Sequence, residues 1–169
     1  LKDYSNITID WGDGSTPTTY TDGNFPTHTY GSSATFTITV AVNDAAKNIG
    51  RMYMNGDHAS RTFIRTITNW GEGKWENFYS AFYGATNLTI PATDEPDLSL
   101  TTDMSYAFRD CTSLVGSTLN DWNTALVTNM GFMFRNASVF NGNISSWNTA
   151  AVADMSDMFY DASVFNQNI

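Results

Sequence analysis

The closing stretch MFRNASVFNGNISSWNTAAVADMSDMFYDASVFNQNI states one pattern twice, with Met133-Phe134 opening one copy and Met158-Phe159 the next, 25 residues on. A fixed period of this length marks one supersecondary unit laid down repeatedly, each copy burying its apolar face against its neighbour. Anchored on tryptophan, the units start near Trp70, Pro96, Trp122 and Trp147, at spacings of 26, 26 and 25. Three columns survive throughout. Phe82, Phe108, Phe134 and Phe159 share one; Ala85, Cys111, Ala137 and Ala162 a second, always small; Leu88, Leu114, Phe140 and Phe165 a third.

Within the third unit Val127, Met130, Phe134 and Ala137 fall at i, i+3, i+7 and i+10, the stripe of an amphipathic helix. Beyond it the period shortens, and Leu88 and Ile90 in NLTIP alternate as in a strand. The spacing therefore predicts one strand and about three helical turns per unit. Stacked, these units predict a right-handed α/β solenoid of about four coils over 62–169, with the Phe and Met columns as a dry core. Cys111, aligned with alanines, reads as a packed small residue where coils approach closely, and no His or Lys stands near it in sequence to activate a thiolate. Asn141 and Asn166, recurring beside the strand, are expected to bond the turn backbone of adjoining coils.

The front of the chain obeys a different period. ITIDWGDGSTP alternates Ile7, Ile9 and Trp11 and then turns through Asp13-Gly14, a hairpin signal. HTYGSSATFTITVAV gives a second alternating run through Phe36, Ile38, Val40 and Val42. The expected organisation is an antiparallel β-module over 1–45, a connector over 46–61 with a short strand at 51–54, and the repeats from 62 onward. The fold class is thus α+β, the β-module covering the apolar face that a first coil leaves bare. The chain ends inside a repeat, which predicts more repeats or a cap in a longer parent, or else self-association through the uncapped last coil.

Composition narrows the function. Charged residues are 15% of the 169, below the roughly 25% usual in globular chains. The net charge of −9 disfavours duplex nucleic acid and anionic lipid, both of which require clustered Lys and Arg. No run of about 18 apolar residues occurs that would insert this segment into a membrane. One cysteine excludes an internal disulfide and a cysteine-based metal site. No nucleophile elbow, phosphate-cradling glycine loop or His-Glu-x-x-His occurs, so no enzyme is expected. His28 reads as a hydrogen-bonded strand residue, His58 as a loop residue, and Asp94, Glu95 and Asp97 as a solvated acidic loop. Asp10, Asp13 and Asp22 are the only calcium candidates, and their spacing fits no EF-hand loop. The sequons at Asn6, Asn87, Asn136 and Asn143 read as incidental in so Asn- and Thr-rich a chain.

AFYGATNL at 81–88, AFRDCTSL at 107–114 and MFRNASVFNGNISSWNT at 133–149 resemble the BspA-type leucine-rich repeats of bacterial surface proteins, over residues 62–169. Pro96 stands where the other units carry Trp, and no Asn follows Leu114. WGDGS, HTY and FTITV resemble the polycystic-kidney-disease type of immunoglobulin-like module, here short. The resemblance implies an extracellular location, at a bacterial surface or secreted, and adhesion to protein or glycan on host, matrix or neighbouring cells. Outward positions for such a ligand are Tyr83, Thr89, Tyr106, Val115, Asn141, Asn143 and Tyr160. The competing reading is a structural spacer without a ligand. The discriminator is whether exposed aromatics, Tyr79, Tyr83, Tyr106 and Tyr160 among them, gather on one face.

Overall fold

The computed structural model describes residues 6–21, 26–32, 34–43, 48–51 and 61–169. Asp22, His58 and most of the expected 51–54 strand lie outside them.

The front end forms as antiparallel pairing. Strand β1 (Ile7–Asp10) lies between β2 (Thr18–Tyr20) and β3 (Thr39–Val42), with Ile7 opposite Tyr20 on one side and Val42 on the other. Alternation puts Ile7 and Ile9 inside, 0% and 3% exposed. The second alternating run is less buried than its pattern predicts. Ile38 and Val40 are exposed, and among the described residues the small core of this sheet gathers only Trp11, Tyr20 and Val42 around Ile7 and Ile9. Strand β4 (Asn48–Arg51) then pairs in parallel with β5 (Lys74–Asn77). Ile49 and Val42 reach the main core, both lying against Gly73.

The expected α/β solenoid is not what forms. Among the described residues only Arg61 is helical, and the sheets are a three-stranded and a two-stranded one. The apolar i, i+3, i+7 spacing is carried by β-turns instead. In the first unit the Ala81 N–H donates to Phe78 O and the Ala85 N–H to Phe82 O, each closing a four-residue turn. The third residue of each turn, Ser80 or Gly84, has positive φ while the second does not, the type II arrangement. The same pair of turns recurs with Tyr106 and Asp110, Phe132 and Asn136, and Asp157 and Asp161 at the left-handed positions.

These turns leave alternate N–H groups pointing at the next unit. Phe78, Ser80, Phe82 and Gly84 donate to the carbonyls of Asp103, Ser105, Ala107 and Arg109. Met104, Tyr106, Phe108 and Asp110 repeat this toward the third unit, and Met130, Phe132, Phe134 and Asn136 toward the fourth, all at 2.8–3.1 Å. A column of Asx side chains takes the remaining amides: Asn77 accepts from Tyr79, Asp103 from Ser105, Asn129 from Gly131 and Asp154 from Ser156. Every N–H from Phe78 to Ala85 is thereby paired, which is the condition for burying such backbone. Isolated parallel bridges, Thr66 to Thr89, Lys74 to Asp97, Asp103 to Asn129 and Asn129 to Asp154, replace the continuous sheet expected here.

Because each unit sits squarely on the last, like residues stack. Phe82, Phe108 and Phe134 are fully buried, with parallel rings 5.6 Å apart. Phe159 continues the column at 5.7 Å, and Phe140 and Phe165 form a second one at 5.6 Å. Trp122 and Trp147 lie nearly parallel, while Trp70 meets Trp122 edge-on across the level that Pro96 occupies. Cys111 is fully buried, its S–H directed at Phe82 O, and burial raises its thiol pKa far above the usual value.

Candidate binding face

Two outward positions per unit follow from the turns. The residue after the core Phe is Tyr83, Arg109, Arg135 or Tyr160 in successive units. The left-handed residue of the preceding turn is Ser80, Tyr106, Phe132 or Asp157. Stacking brings these two columns together on one face. Tyr106 lies parallel to Phe132 at 4.7 Å, and Tyr79 packs edge-on against Tyr106 at 5.8 Å.

Arginine threads the rings into one stripe. The Arg61 guanidinium sits 4.5 Å from the Tyr83 ring centre, and that of Arg109 lies 5.2 Å from Tyr83 and 5.6 Å from Tyr106. The Arg135 guanidinium lies 5.6 Å from Phe132 and 4.2 Å from Tyr160, which is half exposed. Cation–π contacts at such sites contribute about 0.5–1 kcal/mol each. Asp157 holds Arg135 Nη1 at 2.5 Å, and Asp110 stands 3.7 Å from Arg109 Nε. Asp110 also accepts from the Asn136 side chain at 2.6 Å.

The other candidate positions divide differently. Thr89 and Val115 line a shallow recess with Ile90, Pro91, Ser113, Gly116 and Ser117, and Val115 is 58% exposed. Thr89 also donates its hydroxyl to Arg65 O. Asn141 is committed to the stack, its Oδ1 accepting from Asn166 N–H and Gln167 Nε2. The Oδ1 of Asn143 accepts from Ser145 N–H, a local turn. So Tyr83, Tyr106 and Tyr160 share the stripe, and the other four do not. Arg61, Arg109, Phe132 and Arg135 were not singled out from sequence. Column alignment held the signal, since Arg109 and Arg135 occupy the position of Tyr83 and Tyr160.

In the β-module, Asp10 Oδ1 accepts from Gly12 N–H and Asp13 Oδ1 from Ser15 N–H. Asp13 Oδ2 takes His28 Nε2–H at 2.8 Å, and His28 stacks on Trp11 outside any strand. Bonds from the Ser15 side chain, from His28 and from the Ser15 amide hold the Asp13 carboxyl well below the usual carboxylate range. These two carboxylates are thus engaged in turns, and the described residues contain no group of three or more His, Cys, Asp or Glu placed to hold a metal ion. No helix among them is long and apolar enough to cross a membrane.

Stacked turn units with one aromatic-arginine stripe define a repeat protein. Residues 76–169, more than half of the chain, match the family described as "Mycoplasma protein of unknown function, DUF285", and the chain belongs to that family. No curated protein and no solved structure matches it.

Proposed function

We propose that this chain is an extracellular binding module of the BspA adhesin type, its repeats presenting one face to a protein or glycan ligand and its front end a reduced module of the polycystic-kidney-disease type. One observation carries the reading: Tyr79, Tyr83, Tyr106, Phe132 and Tyr160 form, with the arginines between them, a single stripe. A spacer needs only a soluble exterior, for which Thr, Ser and Asn suffice. Aromatic rings and Arg on one surface are instead the residue types that dominate binding energy at interfaces. The proposed role is recognition without catalysis, at a bacterial surface or after secretion.

The test is an array of glycans and matrix proteins probed with this chain, once with calcium and once with chelator. The expected result is signal on a limited set of spots. Silence on every spot under both conditions transfers the assignment to the spacer reading.

A further inference from the structure

We propose that the stripe formed by Tyr83, Arg109, Tyr106, Phe132, Arg135 and Tyr160 is a site for carboxylated pyranoses, the acidic sugars of a sialylated or uronate-bearing glycan. This rests on the binding-module reading and names the ligand chemistry of the same face.

Charge is the first ground. Arg109 and Arg135 are the sole basic residues of 76–169, in a chain of net charge −9, and both stand on this stripe. Their donors are incompletely used. The Nε of each is buried without a hydrogen-bond partner, while the partly exposed side chains leave their terminal Nη groups as the donors a ligand can reach. Among the described residues the Arg135 guanidinium has one hydrogen bond, from Nη1 to Asp157, and the Arg109 guanidinium has none, its Asp110 neighbour lying at 3.7 Å. A guanidinium has five N–H donors in a planar fork that suits a carboxylate.

Ligand shape follows from what else the face offers. In the first three units the alternate backbone N–H groups beneath it are already bonded to the next unit, so an extended acidic peptide finds no strand edge to pair with along the stripe. Recognition runs through side chains: the half-exposed Tyr160 ring and the outer edges of the stacked rings for an apolar C–H surface, and a guanidinium edge for a carboxylate. A carboxylated pyranose has both. The net charge of −9, with Asp110 and Asp157 beside the arginines, disfavours a densely sulfated polymer and admits a ligand of isolated negative charges.

The experiment compares sialylated glycans, uronate oligosaccharides, the same sugars with their carboxyl groups reduced, a heparin-like polymer and an acidic peptide. Proteins are wild type, the double variant R109Q/R135Q and the single variant R135K. Expected is binding to either or both carboxylated sets, the two arms telling sialate from uronate. Affinity should fall at least about tenfold on carboxyl reduction and in the double variant, with a smaller loss in R135K. Free glucuronate or sialate should compete for wild type where glucose does not, a readout that does not depend on the variants folding. Equal affinity for carboxyl-reduced sugars, preference for the heparin-like polymer, or equal capture of the acidic peptide overturns the proposal. Binding confined to matrix proteins and indifferent to the arginines overturns it while leaving the binding-module reading standing. Absence of binding to every probe and every array spot overturns both.

Discussion

The left-handed residues show how this stack handles strain. Gly84, Asp110, Asn136 and Asp161 fill one such column, and these are the residue types that tolerate positive φ best. Tyr106 and Phe132 stand in the other, between Ser80 and Asp157, despite their bulk, at a cost of about 1–2 kcal/mol each. Ring stacking on the outer face and a hydrogen bond into the next unit offset that cost. Close approach is equally local. A Cβ on Gly142 would stand 2.1 Å from Gly116 O, which is backbone and has nowhere to retreat. Gly142→Ala is therefore expected to lower stability by about 1–3 kcal/mol, as overpacking does, read as a drop in the urea midpoint. An unchanged midpoint would show that the two units are not pressed together at this level.

Among elements, the Asx column is what locks one unit's turns onto the bridge before them. It alternates Asn77, Asp103, Asn129 and Asp154 along the stack, so no two carboxylates are adjacent. Bonds from the Ser156 side chain and amide lower the Asp154 pKa from 3.8, and Ser99 does the same for Asp97. The sign follows: a carboxyl whose folded pKa lies below its unfolded value stabilises above that value, and the contribution disappears as pH falls through the folded pKa. Urea midpoints should accordingly decline as pH is taken below 3.8, the unshifted carboxyl value. Asp154→Asn should match wild type at neutral pH, since Asn129 makes the same bond, and should show a flatter acid limb. An acid limb identical to wild type would mean that Asp154 is as well bonded unfolded as folded.

For the whole molecule, the direction of the inter-unit bonds matters. In the turns each unit donates toward the C-terminus, while amides outside them, such as Ala153 and Asn141, donate back to Thr128 O and Val115 O; in the fourth unit the turn N–H groups of Met155, Asp157, Phe159 and Asp161 have no acceptors among the described residues. Met155, Phe159 and Phe165 there are only partly buried. Two such faces set against each other would oppose donor to donor along the turns, so association through that segment needs a partner edge of carbonyls. Hydrogen exchange should rank accordingly, fast at Asp157 and Phe159 and slowest at Phe108 and Phe134 in the column interior. Equal protection along the stack would contradict that polarity.

The repeat length, the stacked Phe column and the small column that takes Cys111 were legible in the sequence. Identical side chains recurring every 25 or 26 residues can share burial only by lying one above another. The local conformation was not legible, because a helix and a run of type II turns place the same i, i+3, i+7 residues inward. They differ in where the amide hydrogens go, and that is settled by carbonyls some 25 residues away, as between Phe82 and Ala107. The binding stripe has the same origin. Arg109 and Tyr83 are unrelated in any local window, and only the tertiary stack sets a guanidinium against a ring, because only stacking converts a column of unlike residues into neighbours.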